Sequence, residues 1–411
     1  MKNKVKIGII GLGLRGASML EYILAPMNKD DVEIVGLCDF YEDRLKNAVE
    51  YINKVTGKKP HSSTQYMDII SIPEIEAILI FTSWEMHIPI AVEAMKAGKY
   101  VGVEVGGSYS IQDCYELVRV SEQNQIPCMM LENCCYGRRE MMALNMERKG
   151  ILGDIIHCTG GYSHDLREEI ASGKVNRHYR LMNYLNRNCD NYPTHALGPI
   201  AKILRINRGN NFLSVASFAS CSKGLSKYFN DHADRFSEYK DCSPAQADVV
   251  TTIITCAGGQ TICLTLDTTL PGYYSRHFGI FGTKGRYIEE NDSVFLDGEH
   301  NPDNELWKPQ WGNAAVLEDR FDHPLWESYK NDVKQGHGGM DWLVIRAFVE
   351  SVKNREQTPI DVYDTAAWMS ISALSESSIA LGGTPVPAHD FTHGNWVKNN
   401  NDPLRNKYTL D

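Results

Sequence analysis

The feature that most constrains this chain is a short apolar strand that breaks into a glycine turn and then into a helix. The stretch VKIGIIGLGLRG (5–16) places Gly11, Gly13 and Gly16 directly before ASMLEYILAP, whose apolar residues recur at helical spacing. Gly11 permits a tight turn, Gly13 lets the backbone approach a pyrophosphate, and Gly16 lets helix and strand pack closely. The positive end of the helix faces the bound anion. This order of elements predicts a dinucleotide-binding unit.

A carboxylate at the end of the second predicted strand favours one dinucleotide over another. The run VEIVGLCDF brings Asp39 to the strand end, 23 residues beyond Gly16. A carboxylate there accepts hydrogen bonds from ribose hydroxyls and repels a 2′-phosphate, so NAD is favoured over NADP. The alternative interpretation of Asp39 is a solvated helix cap.

Strand and helix patterns continue to alternate as far as residue 133. The runs EAILIFTS (76–83), KYVGVEV (99–105) and IPCMMLEN (126–133) are typical of buried strands, and the segments between them of helices. Repeated units of this kind form a doubly wound parallel sheet of the Rossmann type, which binds ligands at the carboxyl ends of its strands. We therefore expect the following residues along the cofactor crevice: Ser83, Trp84, Glu85, Met86, His87, Glu104, Val105 and Asn133.

Composition and charge exclude several classes of protein. A chain of 411 residues is too long for one ordinary core, so two domains are the default expectation. The net charge of −10 argues against nucleic acid and against an anionic membrane surface as partners. The 11 cysteines include no CxxC pair, and the opening MKNKVKIGII lacks the pattern of a signal peptide. A cytoplasmic location is the resulting expectation, or an exported one if a signal has been removed.

The second part of the chain predicts a different architecture. Regular alternation ends near residue 136, and FLSVASFAS, ADVVTTIITCAGGQTICLTLDTTL and RHFGIFGTKGRYIEE are typical of strands joined by tight turns. We expect an NAD-binding domain at 1–135, an α+β substrate domain with a largely antiparallel, open sheet at 136–385, and a polar tail at 386–411. Residues 338–383 have a helical pattern. The face of the open sheet is free either to cover the nicotinamide or to pair subunits in a homo-oligomer.

Two stretches of the second domain bring phenol and imidazole side chains together. GGYSHDL ends a predicted strand, and strand alternation puts Tyr162 and His164 on one face. NYPTH holds Tyr192 and His195 on either side of a proline at the start of a helix, which Thr194 would cap. From the residues alone, a hydrogen-bonded Tyr–His pair and a rigid polar junction are sufficient interpretations.

The segment FTSWEMHIPIAVEAMKAGKYVGVEV resembles the second half of the nucleotide domain in the superfamily of glucose–fructose oxidoreductase, inositol dehydrogenase and MocA. Dehydrogenases of that superfamily usually carry Glu-Lys-Pro at this strand end, and the lysine is a catalytic acid/base. Here Glu104, Val105 and Gly106 stand in its place, and valine cannot transfer a proton. Ordinary dehydrogenase chemistry is therefore disfavoured.

One branch of that superfamily lacks the lysine and is similar to this chain along nearly its whole length: glycoside hydrolase family 109, the NAD-dependent α-N-acetylgalactosaminidases. The resemblance rests on GLGLRG, WEMH, VEV, MLENCCYGRREMMALNMERKGILG, GGYSHDLR, HYRLMNYLNRNCDNYPTHALGP, YYSRHF-x-x-FGTKG, GHGGMDWL and DVYDTAAWMSISALSESS. The chain departs from the family at Met86, where a second tryptophan is more usual, and at Gly106 and Gly107, where Pro-Ala is. The twin-arginine signal common in the family is absent.

The resemblance implies roles for particular residues. Substrate contacts are implied for Tyr162, Arg180, Tyr192, His195 and Tyr274. Besides the three glycines, NAD contacts are implied for Leu14, Arg15, Asp39, Trp84, Glu85, Met86, His87, Glu104, Val105, Asn133, Tyr192 and His195. We hypothesise that Tyr162 removes a proton from C2 of the sugar. We further hypothesise that His195 exchanges the proton of the C3 hydroxyl in place of the missing lysine.

The resemblance also implies a reaction unlike that of most glycosidases. Those enzymes use two carboxyl groups that flank the glycosidic bond, and here only Glu104 and Asp165 are candidates by location. In the implied reaction, C3 of a small glycoside is oxidised with NAD as the acceptor, and the C2 proton thereby becomes acidic. The aglycone is then eliminated, water adds, and C3 is reduced again with no net redox change.

Three other functions remain open. The first is an NAD-dependent sugar or polyol dehydrogenase or epimerase of the same superfamily, which would accumulate NADH with a sugar substrate. The second is a non-enzymatic protein that binds or senses NAD. The third is a metal hydrolase that uses His164, Asp165, His195 and His337. No HExxH or comparable spacing supports that site, so no metal is expected.

Overall fold

The strand, turn and helix at the start of the chain form as the glycine pattern predicts. A computed structural model describes residues 4–302, 308–398 and 407–410. β1 (Val5–Ile10) runs into the turn, and the helix Leu14–Met19 follows it. The helix continues through a π-helical stretch, Leu20–Leu24, into a last turn, Ala25–Met27.

Residue contacts divide the chain into two compact units. The first consists of Met1–Gly137, Ser328–Ala367 and Asn401–Asp411, and the second of Arg138–Glu327 and Trp368–Asn400. The predicted second domain at 136–385 was continuous, whereas the structure assigns its residues 328–367 to the first unit. A helical pattern predicts that a segment buries one face, but it does not say which core that face packs on.

Ion pairs show how the returning segment is attached to the first unit. Helix Met340–Asn354 carries Arg346 and Lys353, and both side chains pair with Asp31 at the start of the second strand. The Lys353 Nζ lies 2.7 Å from the Asp31 carboxylate.

The first unit is built on the doubly wound parallel sheet that the sequence predicts. After β1 its strands are β2 (Val32–Cys38), β3 (His61–Ser63), β4 (Ala77–Ile80), β5 (Tyr100–Val103) and β6 (Cys128–Met130). Within the described residues they form a six-stranded sheet in the order β3-β2-β1-β4-β5-β6, with parallel pairing throughout. The order reverses between β1 and β4, which is where such sheets bind their ligands.

Helices connect these strands and cover the sheet. They are Glu42–Thr56, Tyr66–Ile70, Trp84–Lys96, Ile111–Asn124 and the returning Met340–Asn354. All residues of β4 and β5 are buried, as expected for parallel strands covered on both faces.

The second unit contains the predicted α+β arrangement. Its strands are β7 (Ile155–Ser163), β8 (Phe212–Ala219), β9 (Val249–Cys256), β10 (Thr261–Asp267), β11 (Gly279–Gly282), β12 (Gly285–Ile288), β13 (Ser293–Leu296) and β14 (Val386–Pro387). In the part of the chain that the structure describes, they form an eight-stranded sheet in the order β13-β12-β11-β7-β10-β9-β8-β14. β7 and β10 pair in parallel and the other neighbours are antiparallel.

Helices lie before and between the strands of the second unit along the chain. They are Arg138–Arg148, Arg167–Ala171, Gly173–Asn176, Arg180–Asn186, Thr194–Ile203, Gly224–Asp231, Glu318–Phe321, Pro324–Tyr329 and Val362–Ala380, whose first residues belong to the first unit. The pattern predicted over 338–383 is interrupted after Asn354, where Arg355 adopts a left-handed conformation. In the predicted tail, β14 pairs with β8, and residues 399–406 and 411 lie outside the described residues.

No described helix combines the length and apolar character needed to cross a bilayer.

Candidate functional site

The glycine turn after β1 has the shape of a cradle for an anion. Gly11 has φ of 95°, and a Cβ there would lie 2.5 Å from the backbone carbon of Phe81, so only glycine fits. At Gly13, apart from its chain neighbours, the only described heavy atoms within 4 Å of such a Cβ belong to the guanidinium of Arg44, the nearest at 3.3 Å. The backbone between these glycines is therefore open to a ligand on one side. The Leu14 side chain is exposed, consistent with a contribution through its backbone.

The Asp39 carboxylate stabilises this turn by hydrogen bonding to backbone amides. Its Oδ2 accepts a hydrogen bond of 2.6 Å from the Leu12 amide, and its Oδ1 accepts one of 2.8 Å from the Tyr41 amide. The side chain is buried, so the alternative of a solvated helix cap is wrong. Each carboxylate oxygen retains a lone pair, which is what recognition of ribose hydroxyls requires.

The end of β4 leads directly into helix Trp84–Lys96, which carries the next predicted residues. Trp84 and His87 are buried, Met86 is half-buried and Glu85 is exposed. A Cβ at Gly106 would lie 2.3 Å from the Trp84 ring. The small residue makes room for the indole.

His87 is a neutral imidazole with one ring nitrogen available. Its Nε2 lies 3.1 Å from the Thr82 carbonyl oxygen, and burial lowers the pKa of the ring to about 4. Its Nδ1 is buried and has no hydrogen-bond partner among the described residues. A buried acceptor without a partner is uncommon in folded proteins and is consistent with a ligand that donates to it.

At the ends of β5 and β6 the predicted residues form a buried ionic cluster. The Nε of Arg15 lies 3.1 Å from Glu104, and the rest of its guanidinium binds Asp341 through two bonds of 2.9 Å. The Asn133 amide donates to Asp341 at 2.8 Å. Asp341 was not among the predicted residues, because it lies far along the chain in GHGGMDWL and no local pattern ties it to the glycine turn. Val105 is buried.

These observations fit a bound dinucleotide. The open glycine cradle, the buried carboxylate at Asp39 and the available His87 Nδ1 are features of a dinucleotide site on a parallel sheet. When bound, NAD supplies a reversible acceptor for a hydride. The protein's own residues position it.

In the second unit, Tyr162 is the centre of an aromatic cluster. Its ring centroid lies 4.6 Å from Tyr192, 5.5 Å from His195 and 5.9 Å from Tyr274. Its hydroxyl lies 2.8 Å from Nδ1 of His164. Tyr162 and Tyr192 are buried, whereas Tyr274 is half-exposed, so the cluster has a closed base and an open rim.

Close packing of a helix on the central strand brings this cluster together. A Cβ at Gly160 of β7 would lie 2.5 Å from Ala196 Cβ, so a glycine is needed for helix Thr194–Ile203 to approach the strand. That approach places His195 beside Tyr162. The predicted cap is wrong: the helix begins at Thr194, with Pro193 as the N-cap residue and no side-chain cap bond.

Arg180 adds a buried cation to the base of the cluster. Its guanidinium carbon lies 4.9 Å from the centroid of the Tyr192 ring, and its Nε lies 3.1 Å from Glu169. Burial opposes the charged form, but interactions with Tyr179, Tyr192 and Glu169 outweigh it and hold the pKa of Arg180 above its ordinary value. The arginine predicted to contact substrate therefore remains charged. Glu169, which orients it, was missed because no motif includes it.

The imidazole beside Tyr162 is suited to accept a proton. Burial lowers the pKa of His164, with smaller opposing contributions from Glu169 and others. A neutral ring is therefore favoured near pH 7, and its Nδ1 faces the Tyr162 hydroxyl. Strand alternation placed these two side chains on one face, but the sequence did not assign His164 a role in the cluster.

The carboxylates considered from the sequence have other partners. Asp165 binds Arg167 through bonds of 2.8 and 2.7 Å, and Glu104 pairs with Arg15. His337 of the alternative metal site lies 2.7 Å from Asp341. Neither a carboxylate pair nor the four-ligand metal alternative gains support from these contacts.

Asp190, which immediately precedes the NYPTH segment, is a buried carboxyl group. The Asp190 amide donates to Ser375 Oγ at 2.9 Å, and Ser372 Oγ donates to the Asp190 carbonyl at 2.7 Å. Burial raises the pKa of Asp190 to about 7, although hydrogen bonds with Thr252 and the Tyr192 backbone oppose the rise. A carboxylic acid is therefore held close to its neutral form two residues before Tyr192.

We expect Asp190→Asn to remove part of the pH dependence of stability. Because the folded-state pKa is raised, the folded protein binds an extra proton between about pH 4 and pH 7. Stability therefore falls as pH rises through that window, by roughly 2–4 kcal/mol from this group, and the loss is complete above the folded pKa. The amide matches the protonated acid in shape, so the variant's melting temperature should change less between about pH 5 and pH 8. Equal destabilisation at both pH values would contradict a neutral Asp190.

The fold and these two sets of residues define an NAD-binding protein with the architecture of an oxidoreductase. Residues 5–131 match the family model described as oxidoreductase family, NAD-binding Rossmann fold. Among solved structures, levoglucosan dehydrogenase in complex with NADH and L-sorbose is similar, with a TM-score of 0.68 and 17% identity, covering 95% of this chain and 100% of that chain. At this identity the likeness concerns the fold.

The rest of the chain identifies the family. Residues 136–398 match the family model described as glycosyl hydrolase 109, C-terminal domain. An α-N-acetylgalactosaminidase of Tannerella forsythia is 37% identical, covering 96% of this chain and 87% of that protein. A glycosyl hydrolase family 109 protein of Parabacteroides distasonis is 36% identical, covering 96% of this chain and 88% of that protein. The chain belongs to glycoside hydrolase family 109 and is a glycosidase with NAD as its cofactor.

Proposed function

We propose that this protein is an NAD-dependent α-N-acetylgalactosaminidase that cleaves its substrate by oxidation, elimination, hydration and re-reduction, without net redox change. The observation that carries the proposal is the Tyr162 hydroxyl, which is hydrogen-bonded to a neutral imidazole at the centre of an aromatic cluster. A phenol and an imidazole are acid/base groups for removing a proton next to a carbonyl. The related enzyme of Tannerella forsythia supports the choice of sugar.

Tyr162 and His164 act together as the base in this proposal. Bound NAD supplies hydride acceptance and return at C3 of the sugar. Tyr162 then takes the proton from C2, while the phenolic proton passes to Nδ1 of His164. The electron pair left at C2 expels the aglycone from C1, and the aglycone oxygen takes up a proton. Water then adds: its hydroxyl bonds C1, and its remaining proton replaces the one that the aglycone took. The one extra proton held by the Tyr162–His164 pair then returns: His164 gives a proton back to Tyr162, and Tyr162 gives one to C2.

His195 and Arg180 complete the proposed site. His195 accepts the proton of the C3 hydroxyl and later returns it, a task for which Val105 is unsuitable. The Arg180 cation is fixed by Glu169 and by the face of Tyr192, so it can orient an electronegative group of the sugar. Tyr274 at the open rim provides an aromatic surface for the substrate.

The experiment is to incubate the protein as purified, without added NAD, with a panel of nitrophenyl glycosides. We expect release of nitrophenol from the α-N-acetylgalactosaminide without net NADH, and deuterium at C2 of the product in heavy water. NADH that accumulates with free sugar would instead indicate a dehydrogenase. Release from another glycoside alone would overturn the choice of sugar while keeping the reaction class.

A further inference from the structure

Asp341 is the centre of the buried ionic cluster in the first unit. Its Oδ1 and Oδ2 each accept a bond of 2.9 Å from Arg15, Oδ1 also accepts from Asn133 at 2.8 Å, and Oδ2 lies 2.7 Å from Nδ1 of His337. Burial would raise the pKa of this carboxyl, but the hydrogen bonds and charges of His337 and Arg15 outweigh it and hold the pKa well below its usual range. Asp341 is therefore an anion at any working pH.

The backbone conformation of the segment before Asp341 brings its carboxylate to the ionic cluster. Gly336, His337, Gly338 and Gly339 have φ of 94°, 44°, 65° and 97°, and the three glycines adopt positive φ at little cost. A Cβ at Gly336 would lie 2.8 Å from Asp341 Cβ, so a side chain there would displace the carboxylate. This explains the glycine-rich GHGGMD sequence, to which the proposed reaction gives no role.

The other members of the cluster belong to the crevice at the carboxyl ends of the strands. Arg15 lies within the glycine turn itself, Glu104 directly follows β5, and Asn133 follows β6. Asp341 is thus the group that joins the turn to the end of β6. Glu104 alone would bind Arg15 through one bond of 3.1 Å, whereas Asp341 binds it through two.

We propose that Asp341 is a positioning residue for NAD: it holds the glycine turn and Asn133 in the geometry that retains the cofactor. A turn that is already ordered pays no ordering cost on binding, so a pre-organised site releases its ligand slowly. A glycosidase that oxidises and re-reduces the same substrate gains from slow release, because the cofactor ends each cycle as it began. The inference rests on the NAD-binding domain and does not depend on which sugar is cleaved.

The test compares Asp341→Asn with Asp31→Asn, a matched removal of a carboxylate that pairs with the same helix. Asp31→Asn removes the carboxylate that anchors Arg346 and Lys353, at the other end of helix Met340–Asn354 and away from the glycine turn. Each purified protein is passed over a desalting column and its retained NAD is measured. The rate of NAD release and the melting temperature are measured on the same samples, without any glycoside.

We expect Asp341→Asn to release NAD about 30-fold faster or more, because a glycine turn that is no longer held in place loses the pre-organisation that slows release. Asp31→Asn should lower the melting temperature comparably and leave the release rate within about 2-fold of the unmodified protein. In a separate assay with glycoside and saturating NAD, Asp341→Asn should recover most of its turnover, so the loss appears in the NAD affinity.

A second, more conservative substitution keeps the proposal testable if Asp341→Asn does not fold. The His337 side chain is largely exposed, so His337→Gln should fold and should release NAD a few-fold faster by loosening Asp341. Unchanged release in both variants, or equally fast release in Asp31→Asn, would overturn the proposal. A protein that retains NAD through Asp341 but cleaves no N-acetylgalactosaminide would leave this inference standing and remove the proposed sugar.

Discussion

Tyr162→Phe should reduce glycoside cleavage by about 1,000-fold while leaving the cofactor bound, because general acid–base groups contribute 10²- to 10⁴-fold. The substitution removes one oxygen, the one that lies 2.8 Å from His164 Nδ1, and keeps the ring that packs against Tyr192. The cluster should therefore retain its shape. What is lost is the group that takes the C2 proton.

Two measurements separate this role from simple damage to the site. Deuterium exchange at C2 in heavy water should disappear, whereas NADH absorbance on adding substrate should still develop, since oxidation at C3 precedes loss of the C2 proton. The matched control is Tyr184→Phe, which removes a buried hydroxyl that bonds Thr268 in the same unit. If exchange at C2 persists in Tyr162→Phe, Tyr162 is not the base.

His195→Gln is the second substitution with a large expected effect, a loss of about 100-fold or more in turnover. The imidazole packs 4.9 Å from Tyr192 and 5.5 Å from Tyr162, centroid to centroid, so glutamine keeps a polar side chain of similar reach but cannot carry a proton. Because His195 is assigned to the C3 hydroxyl, both the NADH signal and C2 exchange should be lost.

That pattern distinguishes the two residues. Tyr162→Phe should stop the reaction after the first oxidation, and His195→Gln should stop it before. His157→Gln is a suitable control, since His157 lies on β7 and bonds Thr261 outside the cluster. A normal NADH signal in His195→Gln would assign the C3 proton to another group.

The cofactor domain shows how much local sequence can predict. The glycine turn, the carboxylate at Asp39 and the alternating strands are determined by residues close in the chain, whereas the order of the strands was not predicted and is given by the structure. The family assignment of the whole chain was likewise predicted from its motifs and is confirmed by the two family models.

Contacts between distant segments account for what the sequence did not predict. Nothing local indicates that residues 328–367 return to the first unit, or that Asp341 binds Arg15. The same holds for Glu169 beside Arg180 and for the displaced boundary at Thr194. Each of these depends on which surfaces pack together.

The sequence by itself determined the elements of this protein and the chemical groups available to it: a dinucleotide turn, a phenol and imidazoles in two short motifs, and a valine where a lysine is usual. Only the tertiary structure decided how the groups of each unit are paired. Gly160 lets a helix approach β7 closely enough to bring His195 to Tyr162, and the glycine-rich segment 336–339 lets Asp341 reach Arg15. The physical reason is that side-chain chemistry is encoded residue by residue, whereas distances of a few ångströms between remote residues are set by packing of the whole core.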